Sequence, residues 1–112
     1  IIKDDRLLER NMGIFDDKNI KEYNHEKYWD YNLNSSDDGV ECLKDLFERC
    51  NNFLNDVISK NQDKKILIVS HASIIRCMHH ILRNTNLNNE KLHIPIPNSY
   101  FEVVKIPKSI AT

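Results

Sequence analysis

The sequence predicts an α/β fold in which helices and strands alternate. Three observations carry that reading. Apolar residues recur at spacings of three and four over residues 34–59. The run Ile66-Leu67-Ile68-Val69 is continuously apolar and rich in β-branched side chains. An alternating apolar and polar stretch covers residues 100–106. The order is helix, strand, helix, strand, which implies at least a partly parallel sheet.

Residues 1–34 are polar and aromatic without a regular period, and a loop-rich segment with one short helix over residues 19–28 is expected. Asn34-Ser35-Ser36-Asp37-Asp38 is a helix-start cluster, because serine and aspartate oxygens accept from the free N–H groups of a first turn. The helix it starts runs to residue 59 and carries Val40, Leu43, Phe47, Cys50, Leu54 and Val57 on one face. Residues 61–65 form a polar loop. The run at residues 66–69 then suits a strand buried on both faces. Ser70-His71-Ala72-Ser73 ends it. A second helix follows, with Ile74, Ile75, Met78, Ile81 and Leu82 apolar, and stops near residues 84–86. After Pro97-Asn98 comes the last strand, and residues 107–112 read as a mobile tail.

A chain of 112 residues with 40% hydrophobic content is one domain with one core. Its net charge of -1, from 16 basic and 17 acidic residues, points to neither nucleic acid nor a membrane surface as partner. No apolar run is long enough to span a bilayer. Cys42, Cys50 and Cys77 are too few for a disulfide framework and read as reduced thiols in a cytoplasmic protein. The opening Ile1-Ile2, without Met, reads as a start in mid-protein.

The turn at His71 carries the chemistry. A strand delivers an imidazole to the end of a sheet, where ligands of open α/β sheets bind. A helix starts at once, and its first N–H groups favour an anion. Ala72 and Ser73 are small enough for close backbone approach. The arrangement suits a phosphoryl group with an electrostatic stabiliser. The plainer alternative is a histidine that merely closes a strand. Cys77 and His80 have helical metal-ligand spacing but no matching second pair, and Cys50 and Cys77 read as core fillers. The aromatic residues around Trp29 read as a loop anchor.

Ile-Leu-Ile-Val-Ser-His-Ala-Ser-Ile-Ile-Arg, residues 66–76, resembles the second-histidine motif of the histidine phosphatase superfamily, which includes the cofactor-dependent phosphoglycerate mutases. Ala72 stands where glycine is usual. Residues 6–17 resemble the family's Leu-x-Glu-x-x-x-Gly-x-aromatic-Glu-Gly block, with Asp16 at the second acid and Asp17 in place of glycine. Asp38-Gly39-Val40-Glu41-Cys42 with Arg49 resembles its Gly-Glu-Ser helix start and later arginine. Pro97-Asn98-Ser99 resembles the loop before the last strand. The resemblance implies a phosphoglycerate mutase-like sheet flanked by helices. Here that sheet would be incomplete, its N-terminal strand and helix missing, so that residues 1–112 are the C-terminal part of one histidine phosphatase domain.

The family's nucleophile lies in an Arg-His-Gly motif, which is not found in these 112 residues. By resemblance, that absent histidine attacks phosphorus and forms a phosphohistidine. His71 stabilises the transferring oxygens, and Glu9 protonates the leaving oxygen and then activates the acceptor. Arg10, Ala72, Ser73 and Asn98 take substrate-binding places. No metal and no other cofactor is implied. The implied partners are a phosphorylated small-molecule substrate and either the missing N-terminal segment or a second copy of the chain in a homodimer. Hydrolase and isomerase chemistry stay open, as does a truncated or degenerate module that binds a phosphoester or a protein without turnover. An unrelated α/β domain would instead hold His71 and Glu9 far apart.

Overall fold

The computed structural model describes residues 2–16 and 23–105. Two helices dominate it. A short first helix, α1 (His25–Tyr28), is capped by the Asn24 side chain, which accepts from the Lys27 N–H. The long helix α2 (Leu43–Lys60) and the helix α3 (Ala72–Leu82) pack against each other. Three single turns of 3-10 helix precede α2, at Asp5–Leu7, Gly13–Phe15 and Asp37–Gly39.

The apolar stripe of α2 behaves as its spacing requires. Leu43, Leu46, Phe47, Cys50, Phe53, Leu54 and Ile58 are buried, and the opposite face is charged. From α3, Ile74, Cys77 and Met78 complete the core, and Trp29 and Leu92 close it from the loops. Each fully buried leucine contributes roughly 1.5–3 kcal/mol, so Leu46 and Leu54 fix the helix pairing. The end of α3 is equally specific. Asn84 takes a left-handed conformation (φ 54°), its N–H bonds the Ile81 carbonyl at 3.1 Å, and Thr85 N–H bonds the His80 carbonyl at 3.0 Å. This double bond pattern satisfies the last carbonyls of the helix and stops it.

Helix α2 begins later than the cluster at residues 34–38 suggests. Asp38 (φ 58°) and Gly39 (φ 76°) are left-handed and break the helical path. Val40 instead forms an antiparallel bridge to Met12. At the same junction Gly13 (φ 55°) presses so closely on the Asp38 carbonyl that any Cβ would collide with it.

The expected sheet flanked by helices is not observed. Among the described residues there is no β-strand, and the Met12–Val40 bridge is the one ladder contact. The regular structure of the described residues is helical, and the connections between helices are irregular. Residues 66–69 have no regular secondary structure and no ladder neighbour, and Leu67 (78% exposed) and Val69 (79%) face solvent. Residues 100–105 likewise have no regular secondary structure and no ladder neighbour, with Phe101 and Val103 exposed. An apolar β-branched run favours an extended backbone, but a strand also needs a neighbour for its N–H and C=O groups. Here the two runs line a cleft of about 780 Å³, floored by Leu54, Ile58, Ile75, Met78 and Leu82. The expected tail at residues 107–112 lies outside the described residues, as do residues 19–22 of the helix expected at 19–28, and within the described part of that span only His25–Tyr28 is helical.

Candidate functional site

The segment carrying Glu9 and the segment carrying His71 are tied together. The Ser70 hydroxyl donates to the Leu7 carbonyl at 2.8 Å, which sets residues 6–12 beside the start of α3. Arg49, on α2, fixes the same segment from the other side. Its guanidinium donates to the carbonyls of Arg6 (2.8 Å) and Leu8 (2.7 Å) and forks onto both carboxylate oxygens of Glu41, at 2.8 and 3.0 Å. Glu41 in turn accepts from the Asn11 N–H, and its own N–H donates to the Asn11 carbonyl. Burial works against the Glu41 anion, but the Arg49 hydrogen bonds outweigh it and hold the carboxyl below its ordinary range. The residues at 38–42 and 49, singled out in the sequence, therefore clamp the Glu9 segment.

His71 is the residue before the first turn of α3, extended (φ -102°, ψ 165°) and exposed. Its carbonyl accepts from Ile75 N–H at 2.9 Å, and no side chain caps the helix start. The first N–H groups of α3 are thus open to an incoming acceptor, with the imidazole beside them. Ala72 is half-buried and Ser73 buried in that turn. Glu9 is exposed, and one of its carboxylate oxygens accepts from Arg10 N–H at 2.9 Å. Asn98 is exposed on a turn in which Tyr100 N–H bonds the Pro97 carbonyl. Asp16, which closes the 3-10 turn at Gly13–Phe15, accepts from Met12 N–H, and Asp17 lies outside the described residues.

Arg10 departs from the usual habit of an arginine. It is 1% exposed. Its Nε donates to the Glu41 carbonyl at 2.8 Å, while both terminal nitrogens are buried without a hydrogen-bond partner. The guanidinium lies over Trp29, 5.2 Å from the ring centre, and Arg76 lies 5.4 Å from the same ring. Arg76 donates through Nε to the Ile94 carbonyl. Burial pulls both guanidinium groups below their ordinary range. The His93 ring sits 5.7 Å from Trp29 and 4.1 Å from His25. Burial, then the charges of Arg76 and His25, push the His93 imidazole down to about 4.

Sequence reasoning did not find this cluster. Arg76 stands inside the motif at residues 66–76, yet nothing in the local pattern links it to Trp29, His93 or Arg10. For the metal alternative at Cys77 and His80, Nε2 of His80 faces the Leu92 carbonyl at 2.8 Å and Nδ1 faces the Thr85 hydroxyl at 3.2 Å. A carbonyl only accepts, so Nε2 carries the proton and Nδ1 takes the hydroxyl. Both nitrogens are occupied, and Cys77 is a core residue whose thiol is pushed well up by burial against Cys50.

No helix among the described residues is long and apolar enough to cross a membrane. Neither the curated proteins nor the solved structures contain a match to the chain. The family model of the histidine phosphatase superfamily (branch 1) matches residues 1–108. That span takes in both the segment clamped by Arg49 and the uncapped helix start at His71, and the chain belongs to the histidine phosphatase superfamily, branch 1.

Proposed function

We propose that this chain contributes the second histidine and the acid/base glutamate to phosphoryl transfer or phosphomonoester hydrolysis through a phosphohistidine. The observation that carries the reading is His71 at the uncapped start of α3, in a chain matched by the superfamily over residues 1–108. A histidine of an Arg-His-Gly motif, outside these residues, attacks phosphorus and displaces the alkoxide of the substrate. Glu9 gives that oxygen its proton. In the second step Glu9 takes a proton from water or an acceptor hydroxyl as that oxygen attacks the phosphohistidine. His71 and the first N–H groups of α3, at Ala72 and Ser73, stabilise the charge on the transferring oxygens. Water as acceptor makes the enzyme a hydrolase, and a sugar-acid hydroxyl makes it an isomerase. Arg10 and Asn98 belong to the substrate-binding surface in this scheme.

The cleft between residues 64–68 and 100–105 supports a partner for the chain. Its walls have backbone groups without ladder neighbours, and its floor is apolar. The segment bearing Arg-His-Gly, or a second copy of the chain, is the proposed occupant. The unpaired cysteines support a reducing, cytoplasmic setting.

The test is turnover of p-nitrophenyl phosphate and of a phosphoglycerate by the protein as encoded, with Glu9→Gln and His71→Ala variants. Each substitution is expected to lower kcat by about 10²–10⁴-fold. An acid-labile phosphohistidine should accumulate in Glu9→Gln. Phosphoester binding without turnover in the parent would instead support the non-catalytic module.

A further inference from the structure

One wall of the cleft is an open edge. Among the described residues, no N–H or carbonyl of residues 65–69 takes part in a backbone hydrogen bond. Exposure alternates along the same run. Ile66 is 39% exposed and Ile68 packs on the core, while Leu67 and Val69 are 78% and 79% exposed. An apolar, β-branched run with its backbone groups unpaired is a template for another strand. A small solute would cover the apolar groups and leave the backbone donors and acceptors unmet, whereas a strand satisfies both. The charges at the ends of the run narrow the choice of strand. Asp63 stands at one end, followed by Lys64 and Lys65, and His71 stands at the other. A copy aligned in parallel would set each lysine against its twin. In an antiparallel pair with Leu67 on a two-fold axis, Ile66 lies opposite Ile68 of the copy, Lys65 opposite Val69 and Lys64 opposite Ser70. Asp63 then comes next to His71 at both ends, and no like charges meet. Moving the axis one residue toward Val69 brings Lys65 opposite His71 instead. Moving it one residue toward Lys65 sets Val69 against Asp63 and Leu67 against Lys65.

We propose that this edge pairs with a second copy of the chain, residues 65–69 of the two copies forming an antiparallel ladder about a two-fold axis at Leu67. Such an interface is isologous, so one self-complementary edge is enough to build it. The copy brings the same unpaired backbone groups and the same apolar face, and the register keeps the lysines apart. It also brings Asp63 of one copy beside His71 of the other, so that each helix start at His71 is built partly across the axis. A ladder this short makes a small interface, and the dimer is weak, with a Kd on the order of 10 µM. The inference rests on the reading that the cleft takes a partner chain. It is independent of the phosphohistidine chemistry, since neither Glu9 nor His71 has to react.

Sedimentation equilibrium of the protein as encoded, over about 1–200 µM, measures the association, with far-UV circular dichroism as the check on folding. In the parent the mass should rise with concentration toward two chains. Leu67→Lys sets two ammonium groups opposite each other on the axis and should weaken the dimer by at least about 100-fold. Asp63→Lys should weaken it by about tenfold. Leu67 is 78% exposed, so the folded monomer has room for the lysine. Should Leu67→Lys nevertheless not fold, cysteine cross-linking decides. In a Cys42→Ser background the remaining thiols, Cys50 and Cys77, are buried. Mild oxidation with diamide should then link two chains through Leu67→Cys. Val69→Cys, about 13 Å from its twin in this register, should stay unlinked. Linkage at Val69→Cys in preference to Leu67→Cys refutes the register. A mass that stays at one chain over the whole range overturns the proposal, as does a dimer whose affinity Leu67→Lys leaves unchanged. Hydrogen exchange of such a monomer separates this failure from that of the partner reading. Protection at residues 66–69 means that the cleft is filled from elsewhere in the encoded protein, and its absence removes the partner reading as well.

Discussion

Replacing Arg49 with methionine should loosen the Glu9 segment and cost a large part of the stability of the molecule. The methionine keeps most of the apolar stem and removes four hydrogen bonds, two to the Glu41 carboxylate and two to the carbonyls of Arg6 and Leu8. A hydrogen bond to a charged group contributes about 1.5–3 kcal/mol, but four on one side chain do not add. The Arg49 and Glu41 side chains are 21% and 18% exposed, so water screens part of the interaction. Arg49→Met is therefore expected to cost about 2–4 kcal/mol, a substantial fraction of a typical total of about 5–15. Urea unfolding of the parent, Arg49→Met, Glu41→Gln and the double variant measures it. The midpoint should fall at nearly constant slope. The double variant should lose less than the sum of the singles, with a coupling of about 1–2 kcal/mol. A loss under about 0.5 kcal/mol in Arg49→Met, or strict additivity, would show that the clamp does not hold the segment.

Gly13→Ala should cost about 3 kcal/mol or more, because its φ of 55° is left-handed and the new Cβ would overlap the Asp38 carbonyl. Gly39→Ala, where the Cβ would sit 3.4 Å from the Gly13 Cα, should cost nearer 1 kcal/mol. Thermal unfolding of both variants checks the ranking, and equal losses would count against the close approach at Gly13. His93 supplies a pH dependence. Its folded value of about 4 lies below the ordinary ~6.5, so the unfolded state binds the proton more readily. The associated stability is fully present above pH ~6.5 and is lost as pH falls toward 4. Discounted for partial exposure, the loss is about 1–2 kcal/mol. His93→Phe should be less sensitive than the parent over that window, and an identical pH profile would refute the assignment.

The helices were legible because their signals are local. Leu43, Phe47, Cys50 and Leu54 lie one turn apart, and that spacing alone places them on one face of α2. The start of α2 was not legible at the same precision. Serine and aspartate at residues 35–38 are good capping residues, but Asp38 and Gly39 take left-handed angles to let Val40 reach Met12. That contact joins positions distant in the sequence, and no local rule reports it. The strands failed for the same reason. Ile66-Leu67-Ile68-Val69 states a preference for extended backbone, whereas a ladder needs a neighbour, and residues 100–105 lie across a cleft instead. His71 and Glu9 could be singled out because each sits in a contiguous motif. The Arg10–Trp29–Arg76 cluster draws on three separate segments, and only tertiary packing brings them to one ring.

The two singled-out side chains differ in how they are supported, and that difference has a consequence for any occupant of the cleft. The backbone around Glu9 is clamped by Arg49 and by the exchange between Asn11 and Glu41. It rests on α2, whose inner face is buried along its length. His71 follows directly on residues 66–70, of which Leu67 and Val69 are exposed, Ile68 is only partly buried against the core, and Ser70 is tied back through one hydrogen bond to Leu7. Segments with few buried contacts open at low free energy. A chain bound in the cleft would restrain residues 66–69 directly and the Glu9 segment hardly at all. Such an occupant would order the imidazole against a carboxylate segment that is already fixed. Hydrogen exchange should then slow at residues 66–72 on binding and stay unchanged at 8–12. Equal protection of both segments would mean that the Ser70–Leu7 bond couples them more tightly than one hydrogen bond of about 1 kcal/mol allows.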